Sequence, residues 1–213
     1  MRKSQKLMLT SILLALVAVL TVAPTLSWLS STSAPVVNTF AGGAISIILD
    51  EALVDTDGNA LTGDDAQRVT SNSYKYVAGA VLDKDPTPTV LKGSEECYVF
   101  LCVENELGDK FTMNYDTASW LKVAEADGTS VYVYHTRVDA TESETDVVLN
   151  PIFTTVTVSD DLTAEDIEML GERTLSVTAF AVQTTSLSTE AAIDIAVEQF
   201  LPGGTASDYP TVG

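Results

Sequence analysis

From Ile45 onward apolar and polar positions alternate with period two, which predicts strands with one buried face. Ile45, Ile47 and Leu49 share one face; Ile152, Val156 and Val158 share another, with Thr155 and Thr157 opposite; Leu175, Val177, Ala179 and Ala181 form a third stripe. Trp120 to Val138 predicts a hairpin, with Leu121 and Val123 in one arm, Ala126-Asp127-Gly128-Thr129 at the turn and Val131-Tyr132-Val133-Tyr134 in the other. The run Cys97 to Val103 is apolar on both faces, so a helix, a loop or another chain has to cover its second side. Asp85-Pro86-Thr87-Pro88-Thr89-Val90 holds two prolines, which cannot donate to a ladder, and is expected at an edge or a bulge.

Two stretches break this period. Thr163 is placed to cap a short helix, with Glu165 and Asp166 in its first turn, Leu162 and Ile167 as a hydrophobic staple and Gly171 as the stop. A second helix starts near Ser188 and sets Ile193, Ala196, Val197 and Phe200 on one face. Many strands, two short helices and one core predict an all-β chain, a β-sandwich with Greek-key or jelly-roll connections. The sandwich is expected over residues 42–201, with a loose Gly-, Pro- and Thr-rich tail over 202–213.

The N-terminal region reads differently. Arg2, Lys3 and Lys6 precede an apolar run of 16 residues, Leu7 to Val22, and Pro24 ends any helix there. Sixteen residues fall short of the roughly 20 needed to span a bilayer as a helix. Thr25 and Ser27 offer small side chains at −3 and −1 of a cut before Trp28, so residues 1–27 read as a cleavable signal peptide and the mature chain as secreted, without a stable membrane span. Residues 28–41 then form either a segment donated to a neighbour or the domain's own first strand.

Export sharpens the charge argument. The full chain carries 11 Lys+Arg and 30 Asp+Glu, a formal charge of −19; Arg2, Lys3 and Lys6 are the only charges in residues 1–27, so the remainder stands at −22. Approach to phosphate would add like charge without releasing counterions, which excludes nucleic acid and anionic membrane as partners.

Candidate chemistry is thin. On one strand Cys97 and Cys102 would lie roughly 17 Å apart on opposite faces, too far for a disulfide within the chain, which leaves two small buried hydrophobes or a pair between subunits. His135 is the single histidine; there is no HExxH for zinc and no Gly-rich phosphate loop, so neither an enzyme nor a cofactor is expected. Asp55-Thr56-Asp57-Gly58-Asn59 with Asp64 resembles a degraded calcium loop, with Leu53 at the first ligand position, and an Asp-Gly turn explains the same residues without metal.

The order of motifs carries a family likeness. The export signal, Thr25-Leu26-Ser27-Trp28-Leu29, Asn38-Thr39-Phe40 and Ile45-Ser46-Ile47 with Leu49-Asp50-Glu51 resemble the start of the TasA/camelysin family of biofilm-matrix proteins. Arg68-Val69-Thr70, Asn72-Ser73-Tyr74-Lys75, Lys84-Asp85-Pro86-Thr87, Phe153-Thr154 and Ala179-Phe180-Ala181-Val182-Gln183 are similar to its later blocks. Ser30-Ser31-Thr32 and Ala23-Pro24 depart from the family's pattern around the cut. The resemblance implies a jelly-roll, processing by a signal peptidase of the SipW type, and assembly with copies of itself or related matrix proteins into extracellular fibres. In such fibres the mature N-terminal segment inserts as a strand into the next subunit; here Trp28, Leu29, Val36, Val37 and Phe40 would be its apolar anchors. Two other readings stay open: a monomeric surface module that binds carbohydrate through Trp120, Tyr132 and Tyr134, and a camelysin-like metalloprotease, which the single histidine disfavours.

Overall fold

The computed structural model describes residues 28–32, as backbone, and residues 45–213 apart from Tyr76 and Glu172. Among the described residues the structure is predominantly β, in antiparallel sheets, with two α-helices. The longest ladder joins β7 (Cys97–Asn105) to β13 (Leu175–Gln183) along their full length, from Leu175 opposite Asn105 to Gln183 opposite Cys97. On the other side of β7 lie β10 (Thr129–Tyr134) and then β9 (Trp120–Ala126). β9 and β10 are the expected hairpin, turned through Asp127 and Gly128, both at positive φ, as a two-residue loop that follows the strands' twist requires. A register shift between Val131 and Tyr132 leaves Val123 bulged out of the ladder.

A second four-stranded sheet runs β11 (Val147–Val148), β6 (Thr87–Val90), β2 (Ile47–Ala52) and β3 (Arg68–Val69). Three strands, β5 (Val81–Asp83), β12 (Thr155–Val158) and β8 (Phe111–Met113), make a third. The fourth consists of β1 (Trp28–Thr32) and β4 (Ser71–Lys75).

The double-proline run departs from expectation, because β6 sits between β11 and β2 and not at an edge. Pro88 opposes Leu49 on β2, while its carbonyl accepts from the Leu149 N–H on the β11 side. Carbonyl and nitrogen of one strand residue point the same way, so the missing N–H costs the β2–β6 ladder nothing.

Both faces of the sheet holding β7 are buried, which answers the two-sided apolar run. Cys97, Val99, Leu101 and Val103 join Ile47, Leu49, Leu82, Val156, Leu175 and Val177 in the larger core. Tyr98 and Phe100 join Val123, Val131, Phe180 and the apolar face of helix α2 (Thr189–Phe200), namely Ala192, Ile193, Ala196 and Val197. A helix therefore supplies the predicted cover. Ser188 caps α2 through its side chain, and the shorter α1 (Ala164–Leu170) starts at Thr163 with the reciprocal Thr163–Asp166 bonds of a capping box.

Residues 202–213 are tied down, unlike the loose tail expected of them. The Ser207 N–H donates to the Val123 carbonyl, Val212 is buried, and Gly213 exchanges backbone hydrogen bonds with His135 and Arg137. The bulge takes Val123 out of the ladder, and its carbonyl accepts from the Ser207 N–H at 2.7 Å and the Asp208 N–H at 3.3 Å.

Candidate functional site

Along β4, Ser71, Ser73 and Lys75 are exposed while Asn72 and Tyr74 are buried, the alternation of a strand with one face on the protein. Its backbone pairs with β1, with Trp28 opposite Lys75, Leu29 opposite Tyr74, Ser30 opposite Ser73, Ser31 opposite Asn72 and Thr32 opposite Ser71. Among the described residues β4 has no other strand partner. Among the described residues no ladder joins β4 itself to the rest of the domain; β3, one residue before it, pairs with β2, and the two inward side chains of β4 connect the remainder.

Those side chains end on a buried ion pair. The Lys84 Nζ donates to the Glu51 Oε2 at 2.6 Å, and both side chains are nearly sealed from solvent. The second oxygen, Oε1, accepts from the Asn72 Nδ2 at 3.0 Å, and the same Nδ2 is 2.8 Å from the Ala52 carbonyl. The Asn72 Oδ1 accepts from the Val54 N–H at 3.1 Å, so the amide is used at both ends. Tyr74 donates its hydroxyl to the Asp83 carbonyl at 2.9 Å and lays its ring 5.8 Å from the Lys84 ammonium. Burial, foremost, and then the Glu51 charge push the Tyr74 hydroxyl far above its ordinary range, so it stays a donor. Burial likewise draws the Lys84 ammonium down, against the pull of Glu51. On the outer face Arg68 reaches both Asp50 and Asp85, tying β3 to β2 and to the turn before β6.

None of Glu51, Asn72 and Lys84 was singled out from composition, yet a signal exists. Glu51 continues the inward parity of Ile47 and Leu49, and Lys84 continues that of the buried Leu82. A charge on the apolar parity of a strand demands a buried partner.

The assembly segment is only partly on view. Trp28 and Leu29 belong to β1; Val36, Val37 and Phe40, like Thr25 and Ser27 of the cleavage site, fall outside the described residues.

The remaining candidates are occupied by structural work. Asp55 accepts the N–H groups of Asp57 and Asn59 on one oxygen, both at 2.9 Å, and these bonds, that from Asn59 foremost, hold its carboxyl below the usual range. Gly58 takes the positive φ of that turn. Among the described residues no three His, Cys, Asp or Glu side chains are grouped as a metal set. The His135 Nδ1 lies 3.2 Å from the Ser119 carbonyl. Cys97 and Cys102 are free, buried on opposite faces of β7, and their thiols are pushed up to about 12, chiefly by burial.

An open cleft of about 340 Å³ lies over Tyr115, Trp120, Lys122, Tyr132 and Asp208. Its rings are spent on each other: Tyr115 stacks on Tyr132 with centroids 5.5 Å apart, and Trp120, 2% exposed, donates its indole N–H to the Asn150 carbonyl. A sugar needs an open ring face, and Trp120 and Tyr132 present almost none.

No family model, no curated protein and no solved structure matches the chain.

Proposed function

We propose that this chain is a secreted structural subunit, or an accessory, of extracellular biofilm-matrix fibres. It is exported by the signal at residues 1–27, cut before Trp28 by a signal peptidase of the SipW type, and folded as a jelly-roll-like β-sandwich. It assembles head to tail when the mature N-terminal strand leaves its own domain and adds to that of a neighbour. Its partners are copies of itself or related matrix proteins, its work is mechanical, and it has no catalytic site.

The observation that carries this reading is the pairing of Trp28–Thr32 with a strand that has no other strand partner among the described residues. The ladder is made of main-chain bonds, which the same five residues of a second copy can make equally well. Twelve residues, 33–44, separate β1 from the described body. Extended, they reach about 40 Å, which suffices to cross to an adjacent subunit. Exchange of an identical strand trades equal contacts, and a head-to-tail contact propagates without closing.

Negative-stain electron microscopy of residues 28–213 beside a chain starting at Gly42, at neutral and mildly acidic pH, tests the proposal. Filaments from the longer chain alone are expected. Single particles from both overturn it and favour the second reading, a monomeric surface module, which the in-chain seating of β1 also suits.

A further inference from the structure

A strand can be added to β4 only if β4 keeps its place while β1 is away, and no ladder among the described residues holds it there. Beyond the one-residue link through Thr70 to β3, which pairs with β2 and holds only the start of the strand, what remains is side-chain anchorage. Asn72 opposes Ser31 and Tyr74 opposes Leu29 across the ladder, and these are the two β4 residues whose side chains turn inward. Asn72 reaches the Glu51 carboxylate and the Ala52 carbonyl on β2 and receives the Val54 N–H; Tyr74 reaches the Asp83 carbonyl on β5 and the Lys84 ammonium. Glu51 and Lys84 are sealed together from solvent at 2.6 Å, so removing either one alone would leave its partner as an uncompensated buried group and destabilise this corner.

We infer that the buried Glu51–Lys84 pair is the anchor of the strand-accepting edge: acting through Asn72 and Tyr74, it holds β4 in an extended, receptive line whether or not β1 is seated. The four residues are positioning residues. The inference rests on the assembly reading for its purpose, while the anchoring itself belongs to the single chain. A purely apolar core would bury these positions as well, but without directional bonds it would not fix the register of a strand that lacks a permanent neighbour. The buried pair thus supplies specificity, a role for which such pairs are better suited than for net stability.

The test is hydrogen exchange on the full mature chain carrying Glu51→Leu and Lys84→Met together. The double change removes both charges at similar volume, so no unpaired ion is left to unfold the domain. Amides of 71–75 are expected to exchange at least about tenfold faster than in the parent chain, while those of 97–103 keep their rates. Unchanged exchange over 71–75, or a rise over 97–103 in step with it, overturns the inference. Should the double variant lose its native near-ultraviolet dichroism, Asn72→Ala, which leaves the ion pair intact, is judged by the same two segments. Filament yield of the variant at equal concentration, expected to fall, reads the consequence for assembly. A parent chain that forms no filaments would remove the assembly reading while the exchange result still decides the anchor.

Discussion

A Cβ built on Gly58 would stand 2.6 Å from the Leu82 Cδ2, inside van der Waals contact with one of the most deeply buried side chains of the core. Gly58 also holds φ at +84°, where an L residue is strained by about 1–2 kcal/mol. Gly58→Ala therefore combines two penalties, whereas Gly93→Ala, at φ +79° with nothing within 4 Å, carries the backbone penalty alone. Urea unfolding is expected to show Gly58→Ala as the less stable by about 1–3 kcal/mol, the usual cost of overpacking; equal losses would mean that Leu82 moves aside freely.

The box at the start of α1 makes a pH-dependent contribution. Bonds from the Thr163 side chain and then its backbone N–H hold the Asp166 carboxyl below its ordinary value. A lowered carboxyl favours the folded state above the unfolded pKa of about 4, and this contribution disappears as pH falls through the lower folded value. Thr163→Ala is expected to cost about 1 kcal/mol near neutrality, the usual value of a cap. The difference from the parent should narrow below about pH 4, which unfolding curves across the acid range would display. A gap independent of pH would mean that Asp166 does not share in the cap.

The two thiols should be silent in the folded chain. With Cys97 and Cys102 pushed up to about 12, the thiolate fraction at about pH 8 is on the order of one in ten thousand, and burial blocks access besides. Ellman's reagent is expected to find no thiol under native conditions and two after denaturation. Native reaction of either would show an opening of β7 and restore the option of a disulfide between subunits.

With 30 Asp+Glu against 11 Lys+Arg, copies of the chain repel one another near neutrality. Light scattering should rise as carboxylates gain protons between about pH 7 and pH 4 and should rise at fixed pH when salt is added, since both weaken repulsion. Scattering flat across that range would detach association from charge.

Much of the architecture was legible because it is local. Period-two stripes marked β2, β12 and β13; Asp127-Gly128 marked the hairpin; Thr163 and Ser188 marked the helix starts. What escaped depends on neighbours distant in sequence. Whether a proline run lies at an edge turns on which side its nitrogens face, and Pro88 turns them toward a two-residue strand. The tail's attachment depends on a bulge at Val123 that neither segment announces. The attachment of β4 escaped because Ser71-Asn72-Ser73-Tyr74-Lys75 reads as polar, while its inward contacts go to Glu51, 21 residues before Asn72, and to Lys84, 10 residues after Tyr74.

The crossing of Ser207 and Asp208 over the Val123 carbonyl has a consequence for how many molecules can meet. β9 is the outer strand of its sheet, and its border is kinked by the bulge and stoppered midway by the tail's N–H groups. Foreign strands find no continuous row of donors and acceptors there. That margin is thereby closed to strand addition, and if copies join through β4 as proposed, growth would run along a line instead of thickening into a mass.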